Sequence, residues 1–152
     1  MLGALALALS MPWTARAGDR PLEVLLVNMS PDGTDPDCMR DITRVIRHDD
    51  ATIHRMGGDR ARDLAGHGRD DTHFTTWAAE DLDAVVRLVR AEQVDAVALV
   101  DCRAEEGRAD AWVRSPNGGV ARIRLSGTVI DTERAEWLAR GILAQARTGF
   151  SP

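Results

Sequence analysis

The sequence predicts an α/β sandwich, a mixed β-sheet of about four to five strands packed against two to three helices. Three observations carry this expectation. Short apolar runs alternate with segments whose apolar residues recur at helical spacing. A turn signal, Pro116-Asn117-Gly118-Gly119, separates two alternating stretches and reads as a hairpin. Aromatic residues make up only 4% of the chain, so the core must be built from Val, Leu, Ile and Ala.

In chain order, residues 1–17 read as a secretory leader. Leu2–Leu9 is an apolar run, Pro12 interrupts it, and Ala15-Arg16-Ala17 offers a peptidase site before Gly18. A permanent membrane span takes about 20 apolar residues, far more than this run supplies. The alternative is a buried N-terminal helix, and no Lys or Arg precedes the run as leaders usually have. The working chain is expected to be one domain over residues 18–152, periplasmic or secreted.

Leu22–Val27 is a strand, ended by the turn chemistry of Asn28–Asp35. Asp35-Pro36-Asp37 then opens a helix. Asp35 caps free amides, Pro36 suits the first helical position, and Asp37 faces the positive end of the dipole. Met39, Ile42, Val45 and Ile46 form its apolar stripe as far as about His48. Ala51–Met56 alternates weakly and is a second strand. Residues 57–75, rich in Gly, Asp and Arg, are expected as a flexible loop. Leu82, Val85, Val86 and Val89 share one face of a helix that runs to about Glu92. Val94–Val100 follows as a buried strand.

Ala109–Ser115 and Val120–Ser126 are the arms of the hairpin, and register decides its faces. A two-residue Asn117-Gly118 loop would set Val113 opposite Arg122 and mix polar with apolar positions. A three-residue loop with Gly119 left-handed sets Val113 opposite Ile123 and Ala111 near Leu125. That expected register segregates an apolar face from one carrying Trp112, Arg114, Arg122 and Arg124. The last element is a helix from about Thr132 to Arg147, with Ala135, Leu138, Ala139, Ile142, Leu143 and Ala146 on its buried stripe.

The passage Leu82–Val100 (LDAVVRLVRAEQVDAVALV), the hairpin Ala109–Leu125 and the closing helix Glu133–Arg147 (ERAEWLARGILAQAR) carry a resemblance. In this order of elements the chain resembles the amino-terminal domain of TolB and related domains of CsgG- and LpoB-type envelope proteins. It is also similar to uncharacterised exported single-domain proteins with the same ending. The likeness covers the C-terminal half well and residues 22–48 loosely, through packing patterns rather than catalytic signatures. It implies a domain that docks other envelope proteins.

The net charge is −5, with acids and bases mixed along the chain, which argues against nucleic-acid binding, since that wants a clustered basic face. All 19 basic residues are Arg, a side chain suited to paired and stacked contacts. No Ser lies in a G-x-S-x-G context, and neither Gly57-Gly58 nor Gly118-Gly119 matches a phosphate loop. No nucleophile, base and orienting group assemble from this sequence. The expected role is therefore non-enzymatic and needs no cofactor.

Cys38 and Cys102 form an even pair outside any C-x-x-C pattern, which suggests one disulfide in an exported chain. A Val94–Val100 strand parallel to Leu22–Val27 would bring the two sulfurs to one edge of the sheet. The alternative is a reactive Cys38 thiol, because the first turn of a helix lowers a thiol pKa. His48, His54, His67 and His73 interleave with Asp residues and could bind a metal such as zinc, although no pair has H-x-x-x-H spacing. The favoured site is the Trp112, Arg114, Arg122 and Arg124 face, since Trp and Arg anchor interfaces and a hairpin presents them rigidly. Trp137, outside the stripe of the last helix, would extend it. Set against this is a local cluster of Arg stacked over Trp112. The sequence thus points to an exported envelope domain that docks a protein partner through its hairpin face or sheet edge, with no nucleic acid and no stable membrane span.

Overall fold

The computed structural model describes residues 20–29, 35–65, 82–115, 120–127 and 130–148. The leader expected over residues 1–17, His67, His73 and the turn at 116–119 lie outside them. In chain order the elements are β1 (Leu22–Asn28), α1 (Pro36–His48), β2 (Ala51–Gly57), α2 (Gly58–Ala65), α3 (Leu82–Glu92), β3 (Ala96–Arg103), β4 (Arg108–Arg114), β5 (Val120–Ser126) and α4 (Thr132–Thr148). A short 3-10 turn, Ala104–Glu106, joins β3 to β4. The expected α/β class, a mixed sheet packed with helices, is what forms.

The sheet runs β2-β1-β3-β4-β5, with β2, β1 and β3 parallel and β4 and β5 antiparallel. From β1 the chain crosses through α1 to β2 on one side. From β2 it returns past β1 to β3 by way of α2 and α3. Crossovers between parallel strands share one hand, so moves in opposite directions put their helices on opposite faces. That is the arrangement seen. α1 and α4 cover one face, packing on Val24, Leu26, Ala98, Val100, Ala111 and Val113. α2 and α3 cover the other, over Leu25, Val27, Val97 and Leu99. β1 and β3 are buried on both sides, which is why they read as near-continuous apolar runs.

Local chemistry explains the helix ends. The Asp35 carboxylate accepts from the Asp37 amide at 2.8 Å and the Cys38 amide at 3.4 Å, with Pro36 at the first helical position. Ile42 and Ile46 are fully buried, as are all six stripe residues expected on α4. Thr43 is buried too: its hydroxyl donates to the Met39 carbonyl at 2.7 Å and accepts from Arg55 of β2 at 2.6 Å. Among the described residues no helix is long and apolar enough to cross a membrane.

Two expectations need correction. Residues 58–65, read as part of a flexible loop, form α2. The Gly57-Gly58 pair and the run of charges hid a short stripe, Ala61 and Leu64, that packs against the second face. Gly58 lets the helix start close to β1, where a Cβ would come within a tight 3.2 Å of the Asn28 carbonyl oxygen. The hairpin register also differs by two residues. Val113 faces Ala121 rather than Ile123, and Ile123 faces Ala111. The expected register would have set Arg114 directly opposite Arg122, a like-charge pair. The observed one sets Asp110 opposite Arg124 and Trp112 opposite Arg122. A shift of two preserves the faces, so the segregation of apolar and polar positions stands.

Candidate functional site

The polar face of β4 and β5 lies on the side of the sheet that α2 and α3 cover over β1 and β3. Its organising group is Asp110, only 5% exposed. Arg124 donates to it through Nε at 2.9 Å, and Arg122 through Nη2 at 3.5 Å. The Arg122 guanidinium also sits 4.6 Å above the centre of the Trp112 ring. Trp112 is half-buried and packs against the core of that face, forming a small crevice with Val85, Leu99, Arg114 and Val120. All four expected interface residues are therefore brought to one face, and the Arg–Trp stack expected as their alternative arrangement is present as well.

The charged surface continues along the sheet. Asp101 of β3 lies opposite Asp110 in the β3–β4 register, and each carboxylate has its own arginines. Arg103 pairs with Asp101 at 3.1 Å, and Arg108 approaches it at 3.7 Å. The hydrogen bond that Arg103 donates to Asp101, and then the Asp101 charge, raise the Arg103 guanidinium above its ordinary pKa. Arginine thus outnumbers carboxylate among the described residues of this face, with Arg103, Arg108, Arg114, Arg122 and Arg124 around Asp101, Asp110 and Glu106, the last paired with Arg103 and Arg108. Asp110 was not singled out in the sequence. Its signal was present all the same: it is the one polar residue flanked by Ala109 and Ala111 in a strand whose partner carries Arg at alternate positions.

Trp137 does not extend this patch. It projects from α4, on the other face of the sheet, and is 55% exposed. There it lines an open groove beside β5 with Leu125, the arginines Arg134 and Arg140, and the acids Asp131, Glu133 and Glu136.

Cys38 and Cys102 are joined in a disulfide, with Cα atoms 6.5 Å apart, so Cys38 is not the free thiol of the alternative reading. The bond lies at the ends of β1 and β3, where the Met29 amide donates to Val100 and the Asp35 amide to Cys102, each at 2.9 Å. In open α/β sheets this end of the strands is the usual place for a ligand crevice. Among the described residues the disulfide crosses this end, and Asp35 takes the Asp37 and Cys38 amides of α1.

The two described histidines are not brought together. His48 is exposed at the end of α1, on one face of the sheet. His54 lies on the other, 3.5 Å from Glu23. Among the described residues no group of three or more His, Cys, Asp or Glu is placed to hold a metal ion.

Comparison with known proteins adds no relative: no protein-family model, no curated protein and no solved structure matches this chain.

Proposed function

We propose that the chain is an exported, non-enzymatic binding domain of the cell envelope, of the TolB amino-terminal or CsgG–LpoB type, that docks a protein partner through Trp112, Arg114, Arg122 and Arg124. One observation carries the reading. Arg122 and Arg124 are held by the buried Asp110 carboxylate, yet their side chains remain 46% and 54% exposed. Each guanidinium has five donors in a planar fork, so donors remain for a partner's carboxylates and carbonyls. Side chains ordered before binding lose less entropy on binding. Trp112 supplies the aromatic anchor beside them, a composition typical of interface hot spots. The Cys38–Cys102 disulfide supports an oxidising compartment, and the leader-like residues 1–17 support export.

The test is site-directed photo-cross-linking in the producing cell, with the cross-linker at Val120 on this face and, as control, at Arg47 on the exposed side of α1. A discrete adduct from position 120, recovered with the envelope rather than the cytoplasm, is expected, with none from position 47. It should vanish in a Trp112→Ala/Arg122→Ala variant. That variant keeps Arg124 on Asp110, and circular dichroism checks that it stays folded. An adduct that persists in the folded variant would remove the site, and a cytoplasmic one would remove the export.

A further inference from the structure

Among the described residues β5 is the last strand of the sheet, with β4 beside it. An edge strand presents a row of backbone donors and acceptors that another extended chain can complete. On one side of β5 stand Val120, Arg122, Arg124 and Ser126; on the other, Ala121, Ile123 and Leu125 face α4. Along that second side runs the groove in which Leu125 and the exposed Trp137 form an apolar strip between charged walls, Asp131, Glu133 and Glu136 with Arg134 and Arg140.

Building on the docking face described above, we infer that β5 receives an extended segment of the partner as a sixth strand, and that this segment alternates acidic with apolar residues. Charge decides the occupant. A second copy of the chain, paired antiparallel about Ile123, would set Arg122 against Arg124 of its twin on both sides of the axis. Like charges directly opposite are destabilising. A register shifted by one residue would set Arg122 against an apolar residue and lose the faces. The arginines therefore guard the edge against self-pairing. A strand with carboxylates at alternate positions reverses the sign, placing an acid beside each arginine. Its intervening apolar side chains then fall on the other side, over Leu125 and Trp137.

Two matched heptapeptides test this on the intact oxidised protein. One carries the seven-residue β5 sequence, and the other the same sequence with Glu in place of both arginines. Turning two cross-strand pairs from repulsive to attractive should make the Glu peptide bind about tenfold tighter or more. High salt should erase the difference. Amide exchange should slow at residues 120–126, and Trp137→Ala, a surface change, should weaken the Glu peptide through the apolar side chains while leaving its salt dependence. Equal affinities, no binding of the Glu peptide at millimolar concentration, or protection located elsewhere would each overturn the inference. The cross-linking result is separate. A Trp112-dependent adduct from position 120 without peptide binding leaves the docking face and removes the strand addition. Peptide binding without that adduct leaves the edge site and removes the face.

Discussion

At Asp110 a carboxylate with almost no exposure is covered by two arginines that each keep about half of theirs. Removing one arginine leaves the other in place, so Arg122→Ala or Arg124→Ala should each cost less than about 1 kcal/mol, as exposed ion pairs do. Removing both strands a buried charge, which costs about 3–5 kcal/mol. Urea unfolding of the single and double variants should therefore show strong non-additivity. Additive losses would mean that Asp110 is solvated rather than held. Arg103 behaves differently with pH. Its pKa is raised in the folded state, so its contribution is complete below the ordinary arginine value and declines only as pH climbs through the folded one. Across the neutral range it is constant.

Among the elements, Asp95 ties the start of β1 to the start of β3. Its amide donates to the Glu23 carbonyl at 2.7 Å, and its carboxylate accepts from the Glu23 amide at 2.9 Å. Arg20 forks onto the same carboxylate at 2.9 and 2.6 Å. The backbone bond is the sheltered part of this cluster, while Arg20 is more than half exposed. Asp95→Ala should thus cost about 1–3 kcal/mol by leaving the Glu23 amide unmet. Arg20→Ala should cost less than about 1 kcal/mol. Equal losses in thermal melts would assign the energy to the ion pair instead. Nothing in the periodicity of Val94–Val100 marks Asp95, because its partner lies 72 residues away. At the opposite layer α4 approaches β5 closely through Gly141, where a Cβ would come within 3.0 Å of Ile123 Cδ1. That contact helps seat Ile123 opposite Ala111.

For the molecule as a whole, the disulfide closes a loop spanning 64 residues that contains α1, β2, α2 and α3. It ties the helix after β1 to the end of β3 and so fixes both crossovers at once. Restricting so long a loop in the unfolded chain contributes about 2–4 kcal/mol. Cys38→Ala/Cys102→Ala should lower the unfolding midpoint accordingly, and a mild reductant should lower that of the parent protein. An unchanged midpoint would mean that the backbone bonds from Met29 and Asp35 hold that edge unaided.

The sequence by itself determined the elements of β1, α1, α3 and α4, their apolar stripes and the two faces of the hairpin. Caps such as Asp35 and the periods of 3.6 and 2 are local properties of the chain. It also brought Cys38 and Cys102 to one edge as soon as β1 and β3 were taken as parallel. Tertiary structure alone decided the register of β4 on β5, the burial of Asp110, the helix over 58–65 and the side of the sheet on which Trp137 stands. Each depends on partners distant in sequence. Arg124 opposes Asp110, Ala61 and Leu64 need a sheet face to cover, and α4 must choose a layer before Trp137 has a neighbour. Periodicity says which residues face inward; only packing says what they face.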